Sequence, residues 1–170
     1  MGNELIDSIA NASVAVSADV IELRRAIHRQ PELGLELPKT QRKVLDALEG
    51  LGLDISTGTT STSVVADLHG TGDGPTILLR ADMDALPLDE DTDESFKSTI
   101  EGAMHACGHD AHTAMLLGAA RVMAEHRSDF AGTVRFMFQP GEEGFHGAKH
   151  MIAEGVLEGV ERSFALHVTP

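Results

Sequence analysis

The run Thr76-Ile77-Leu78-Leu79-Arg80-Ala81 constrains the fold more than any other stretch of the chain. It is short and almost wholly apolar, without the alternation of a half-solvated strand, which predicts an interior strand packed on both faces. Such a strand needs helices above and below it. Val16, Val20, Leu23 and Ile27 recur every three or four residues and predict a helix over 14–29, broken by Pro31 and Gly34. A second helix is expected from Lys39 to Leu51, with Val44, Leu45, Leu48 and Leu51 inward and Gly50 and Gly52 at its end.

Further strands are expected at Ser63–Leu68, Thr133–Phe138 and Ser163–Val168, with helices at about Ala111–His126 and Ala148–Glu154. The turn residues Gly70, Gly72, Gly74 and Pro75 predict that the strands on either side of them are neighbours or a hairpin. The alternation of strands and helices is that of a three-layer α/β unit. In such units, sites gather beyond strand ends. Asp82 and Asp84 follow one strand, Glu142 and Glu143 another, and His167 sits at the tip of a third.

With 170 residues and 42% apolar content, the chain can bury one substantial core. Nothing approaches the roughly 18-residue apolar run of a membrane span. The start, Met1-Gly2-Asn3-Glu4, lacks the basic opening of a secretory signal, and Ile6 stands where a myristoylation signal needs Ser or Thr, so a cytoplasmic protein is expected. A formal charge of −14 repels nucleic-acid phosphates and excludes that class of partner.

Chemistry concentrates in Met104-His105-Ala106-Cys107-Gly108-His109-Asp110-Ala111-His112, which holds the single cysteine and three of the nine histidines. Thiolate, imidazole and carboxylate together suit a transition metal. Cys107 and His109 can face one ion if Gly108 forms a tight turn, and the amides of the following helix are expected to favour the thiolate. A cysteine-protease pairing is the rival use, but residues this close in a turn hardly meet as nucleophile and base.

Glu142 and Glu143 are expected to diverge on a loop, one holding metal and the other taking a proton from water. Asp84 suits a carboxylate that orients a histidine ligand, while Asp82 is a minor ligand or a cap. Asp110 and His112 either support the site or cap the helix. The acidic run Asp89 to Glu94 fails as a calcium loop, because Glu94 replaces the glycine and Ile100 the closing carboxylate, and reads as a solvated loop.

Five segments carry a family resemblance: Leu23-Arg24-Arg25-Ala26-Ile27-His28-Arg29-Gln30-Pro31-Glu32-Leu33-Gly34; Leu79 to Pro87; Met104 to Thr113; Phe138 to Gly144; and Leu166-His167-Val168 with Pro170. In these the chain resembles the N-terminal part of the metal-dependent amidohydrolases that include hippurate hydrolase, indole-acetyl-amino-acid hydrolase and N-acyl-L-amino-acid amidohydrolase. These belong to the wider aminoacylase and carboxypeptidase group of metallopeptidases. The resemblance implies a zinc-exopeptidase-like catalytic domain with a mixed sheet flanked by helices, incomplete here.

It also implies Cys107, His109, Glu143 and His167 as ligands of two divalent ions (Mn, Co, Ni or Zn), with Glu142 as general base, Asp84 supporting the site and Cys107 a candidate bridge. Asp82 occupies a position that is histidine in most of the wider group. The implied reaction is hydrolysis of N-acyl or N-aroyl amino acids to a carboxylate and an amino acid. Residues 1–170 would form the first part of the catalytic domain. The lid and dimerisation domain, through which a homodimer would form, and a final histidine ligand would lie in absent sequence, leaving the piece alone inactive and one sheet edge unpaired. A non-catalytic metal-binding or regulatory module is the alternative.

Overall fold

A computed structural model describes residues 2–169; expectations that involve Met1 and Pro170 lie outside the described residues. Five strands form one mixed sheet: β1 (Asp54–Thr57), β2 (Val64–His69), β3 (Thr76–Asp82), β4 (Thr133–Gln139) and β5 (Val160–Ala165). Their spatial order is β1-β2-β4-β3-β5. β3 runs parallel to β4 and β5, whereas β2 runs antiparallel to both β1 and β4.

The expected adjacency of β2 and β3 is therefore not found. β4 inserts between them, pairing Phe136 with Ala66 on one side and Leu79 on the other. β4 is the most buried strand, with Phe136 and Phe138 at 0% exposure, and taking each ring out of water contributes about 1.5–3 kcal/mol. That gain favours placing β4 centrally over the local turn preference of the Gly-rich linker.

Helices cover both faces. On one side, α2 (Pro38–Leu48) and α3 (His109–Glu125) bring Val44, Leu48, Leu116, Leu117 and Ala120 against Val64, Ala66, Leu68, Ala81, Phe136 and Phe138. α1 (Gly2–His28) packs along α3. Gly118 permits this close approach, since a Cβ there would meet Val20 at 2.8 Å. On the opposite side, α4 (Gly147–Ala153) sets Met151 against Leu78 and Met137. The layers are those expected, and among the described residues no helix is long and apolar enough to cross a membrane.

α1 starts well before residue 14, where its largely exposed first turns need no apolar stripe. β5 begins three residues earlier than expected and ends at Ala165, leaving His167 just past the strand. β1 is not among the expected strands; all four of its residues are exposed, so its sequence lacks a hydrophobic signature.

Candidate metal centre

The centre lies beyond the C-terminal ends of β3 and β4, where the first turn of α3 faces the β4–α4 loop. Gly108 takes φ +85°, and a Cβ there would stand 2.3 Å from Val168 Cγ2. Only glycine combines that backbone angle with that contact. The turn lets Cys107 face His167, their Sγ and Nε2 being 3.3 Å apart. His167 Nδ1 lies 2.6 Å from the Val168 carbonyl, so this nitrogen donates and Nε2 is the one turned toward the sulfur.

His109 opens α3 and is wholly buried. Neither ring nitrogen makes a hydrogen bond among the described residues, yet carboxylates surround it. Asp84 Oδ1 is 3.6 Å from Nδ1, and Asp82, Glu143 and Glu142 oxygens lie 3.7, 3.8 and 3.9 Å from Nε2. These separations are too long for hydrogen bonds, but they place anions around a ring whose nitrogens have no hydrogen-bond partner among the described residues.

Asp84 accepts the backbone N–H groups of Glu142 and Glu143 at 2.9 and 3.0 Å, fastening the glutamate loop to the end of β3. Burial would raise its carboxyl, but His109 and these two amides hold it below the usual carboxylate value. Asp82 is committed elsewhere: Arg80 donates to one oxygen at 2.6 Å and His112 Nδ1 to the other at 2.6 Å. His112 Nε2 accepts the Val168 N–H at 2.9 Å, which ties the His167 segment to α3. Asp82 and His112 thus join strand, helix and terminal segment. Sequence reasoning missed Arg80 as part of this network, although an arginine in an otherwise apolar strand was the available signal.

The glutamates do not diverge as expected. Both carboxylates turn to His109 Nε2, and they differ in exposure, 42% for Glu142 and 24% for Glu143. The expectation of a thiolate at Cys107 is also not met by the metal-free electrostatics. Burial, reinforced by Glu143, Glu142 and Asp82, pushes its thiol up to about 11. Burial likewise opposes charge on His109, but Asp84, Asp82 and Glu143 prevail and raise its pKa. Both groups are thus driven to retain a proton where positive charge is lacking.

A divalent cation fits that field. Cys107–His109–His167, Asp82–His109–His112 and His109–Glu142–Glu143 each place one donor atom per residue within 4.8 Å of the others. All three share His109; Asp82 and His112 already hold each other, and the Cys107–His109–His167 and His109–Glu142–Glu143 sets make a divalent-metal site suited to two ions.

Residues 78–170 match the model described as Peptidase family M20/M25/M40. The chain is 42% identical over 169 residues to thermostable carboxypeptidase 1 of Saccharolobus solfataricus, an alignment covering 98% of this chain and 43% of that protein. It is 45% identical over 155 residues to N-acyl-L-amino acid amidohydrolase of Geobacillus stearothermophilus, covering 90% and 42%. A crystal structure from Bacillus subtilis, described as a dinuclear metal binding peptidase from M20 family, superposes with a TM-score of 0.88 at 42% identity, covering 92% of this chain and 44% of that one. The chain therefore spans under half the length of these relatives.

Proposed function

The chain belongs to Peptidase family M20/M25/M40, and from that premise we propose that its metal centre serves hydrolysis of N-acyl or N-aroyl amino acids, hippurate-like amides included, to a carboxylate and a free amino acid. The observation that carries the proposal is the buried His109 ring, its nitrogens without hydrogen bonds among the described residues and ringed by the carboxylates of both glutamates, Asp82 and Asp84. The N-acyl substrate class is supported by the similarity to the Geobacillus amidohydrolase. Residues 1–170 are read as the N-terminal portion of the catalytic domain, and a homodimer through a lid domain belongs to the same proposal.

Cys107, His109, Glu143 and His167 would hold two divalent ions drawn from Mn, Co, Ni and Zn. When bound, such ions supply the positive charge that polarises the scissile carbonyl and makes water acidic enough to attack near neutral pH. Glu142, the more exposed of the pair, accepts the proton of the attacking water as the C–O bond forms, and returns it to the amide nitrogen as the C–N bond breaks. Asp84 positions both glutamates through their backbone and faces His109 from the other side.

The test is release of amino acid from hippurate and N-acetyl amino acids by the full-length protein carrying this sequence. Activity should vanish on chelation and return with Mn²⁺, Co²⁺, Ni²⁺ or Zn²⁺. Activity that survives chelation but is lost on thiol alkylation would instead assign a cysteine hydrolase. Stoichiometric metal binding without any cleavage would assign a non-catalytic module.

A further inference from the structure

The segment Leu23 to Gly34 supplies no donor to the metal sets, yet its side chains reach the turn on which they are built. Arg24 Nε and His28 Nδ1 stand 2.6 and 2.7 Å from the same Asp110 oxygen. Asp110 follows His109 directly in the first turn of α3. The other ring nitrogen, His28 Nε2, lies 3.2 Å from each oxygen of Glu90. Glu90 in turn accepts the Ser98 N–H at 2.6 Å and the Thr92 hydroxyl at 2.7 Å, and Arg29 O accepts the Thr99 N–H at 3.0 Å. The side chains of His28, Glu90 and Asp110 are 4%, 3% and 0% exposed.

Each nitrogen of the His28 ring thus faces a carboxylate. A neutral imidazole carries one N–H and one lone pair, so either tautomer would turn a lone pair on an anion where water is nearly excluded. Only the doubly protonated ring donates to both partners. We infer that His28 is a buried imidazolium that positions the metal-binding turn, its two N–H groups fastening Asp110 of α3 and Glu90 of the 89–99 loop to the end of α1. The acidic run expected to be solvated therefore turns one of its members inward.

The charged and titratable groups around the ring are Asp110 on α3, Glu90 on the loop, His105 with its ring centroid 6.1 Å away, and Arg24 on α1. Phe96 packs edge-on at 5.4 Å beneath the Arg24 and Arg25 guanidinium groups. Burial works against the charge, but the bonds to Asp110 and Glu90 outweigh it and raise the pKa of His28. The functional consequence rests on His109 being a metal ligand; the protonation state and the fastening do not.

Nitrogen-15 NMR of the full chain, labelled at histidine, reads the state of the ring directly. At pH 7 His28 should show protons on both nitrogens, and Glu90→Gln should lower its pKa by about one unit. A ring bare at one nitrogen at pH 6.5 would overturn the inference. In His28→Gln, amide exchange should quicken across both 89–99 and 109–112, and Co²⁺ affinity should fall roughly tenfold. Unchanged exchange in both segments would overturn the positioning role. If the parent chain binds no Co²⁺, the metal reading fails, while ring protonation and exchange still decide this one. Should His28→Gln not fold, the NMR of the parent chain and of Glu90→Gln decides between the two outcomes.

Discussion

At the scale of single residues, Glu142 and Glu143 test the division of labour, because they share a loop and converge on one nitrogen. Glu142→Gln should cut turnover about 10²–10⁴-fold while leaving Co²⁺ affinity within a few-fold, since a base is lost and no ligand. Glu143→Gln should weaken Co²⁺ binding itself, measured by chelator competition; small and equal effects from both would defeat the assignment. Asp84→Asn exchanges a carboxylate that accepts two amides for a side chain that also donates, and should lower metal affinity about 10–100-fold with the glutamates intact. Cys107, whose thiol is pushed up to about 11, should react only slowly with iodoacetamide at pH 8 in the metal-free protein. Rapid alkylation there would contradict the acidic field. Much of this cluster was legible because the single cysteine, His109, His167 and the adjacent pair Glu142 and Glu143 crowd near the ends of expected strands. The part played by His28 was not, since its partners Glu90 and Asp110 lie 62 and 82 residues away in sequence.

At the scale of elements, β3 and β4 place the centre, with Asp82 and Gln139 paired at their ends and the loops that carry the proposed ligands immediately beyond. Phe136 lies in the middle of β4, between Ala66 and Leu79, and removing its ring leaves a cavity. Phe136→Ala should cost about 3–5 kcal/mol in urea unfolding, and a loss below about 1 kcal/mol would contradict the central position of the strand. Helix α2 was readable from apolar spacing because it presents one buried stripe, Val44 and Leu48, to the core, whereas α3 is buried on most of its faces between α1 and the sheet and was readable as a long apolar run. Strand order was not readable. The pairings of β4 with β2 and β3 join segments some sixty residues apart, and nothing local to either segment encodes them. β1 escaped for the converse reason, having only exposed residues to show.

At the scale of the molecule, buried ionisable groups define a window of stability for the metal-free chain. His105 is buried neutral with its pKa lowered from 6.5 to about 4, chiefly by burial. The unfolded state therefore binds an extra proton between those values, and stability should fall as pH falls from 6.5 to about 4. Asp84 and Asp110, both depressed, stabilise the fold above the ordinary 3.8, and that contribution is lost as pH falls through their folded values. His28 acts in the opposite sense: its contribution is complete below 6.5 and is lost as pH rises through its elevated folded value. Urea midpoints should accordingly peak near neutral pH, and a midpoint unchanged from pH 6.5 to 4 would rule out the buried neutral His105. The sheet adds one more consequence. β5 pairs only with β3 among the described residues, and His167 rides just beyond its end. With His167 as a ligand, thermodynamic reciprocity would make any segment that zips onto that outer margin and steadies it tighten the grip on the proposed ion, and the ion would tighten the grip on that segment by an equal factor.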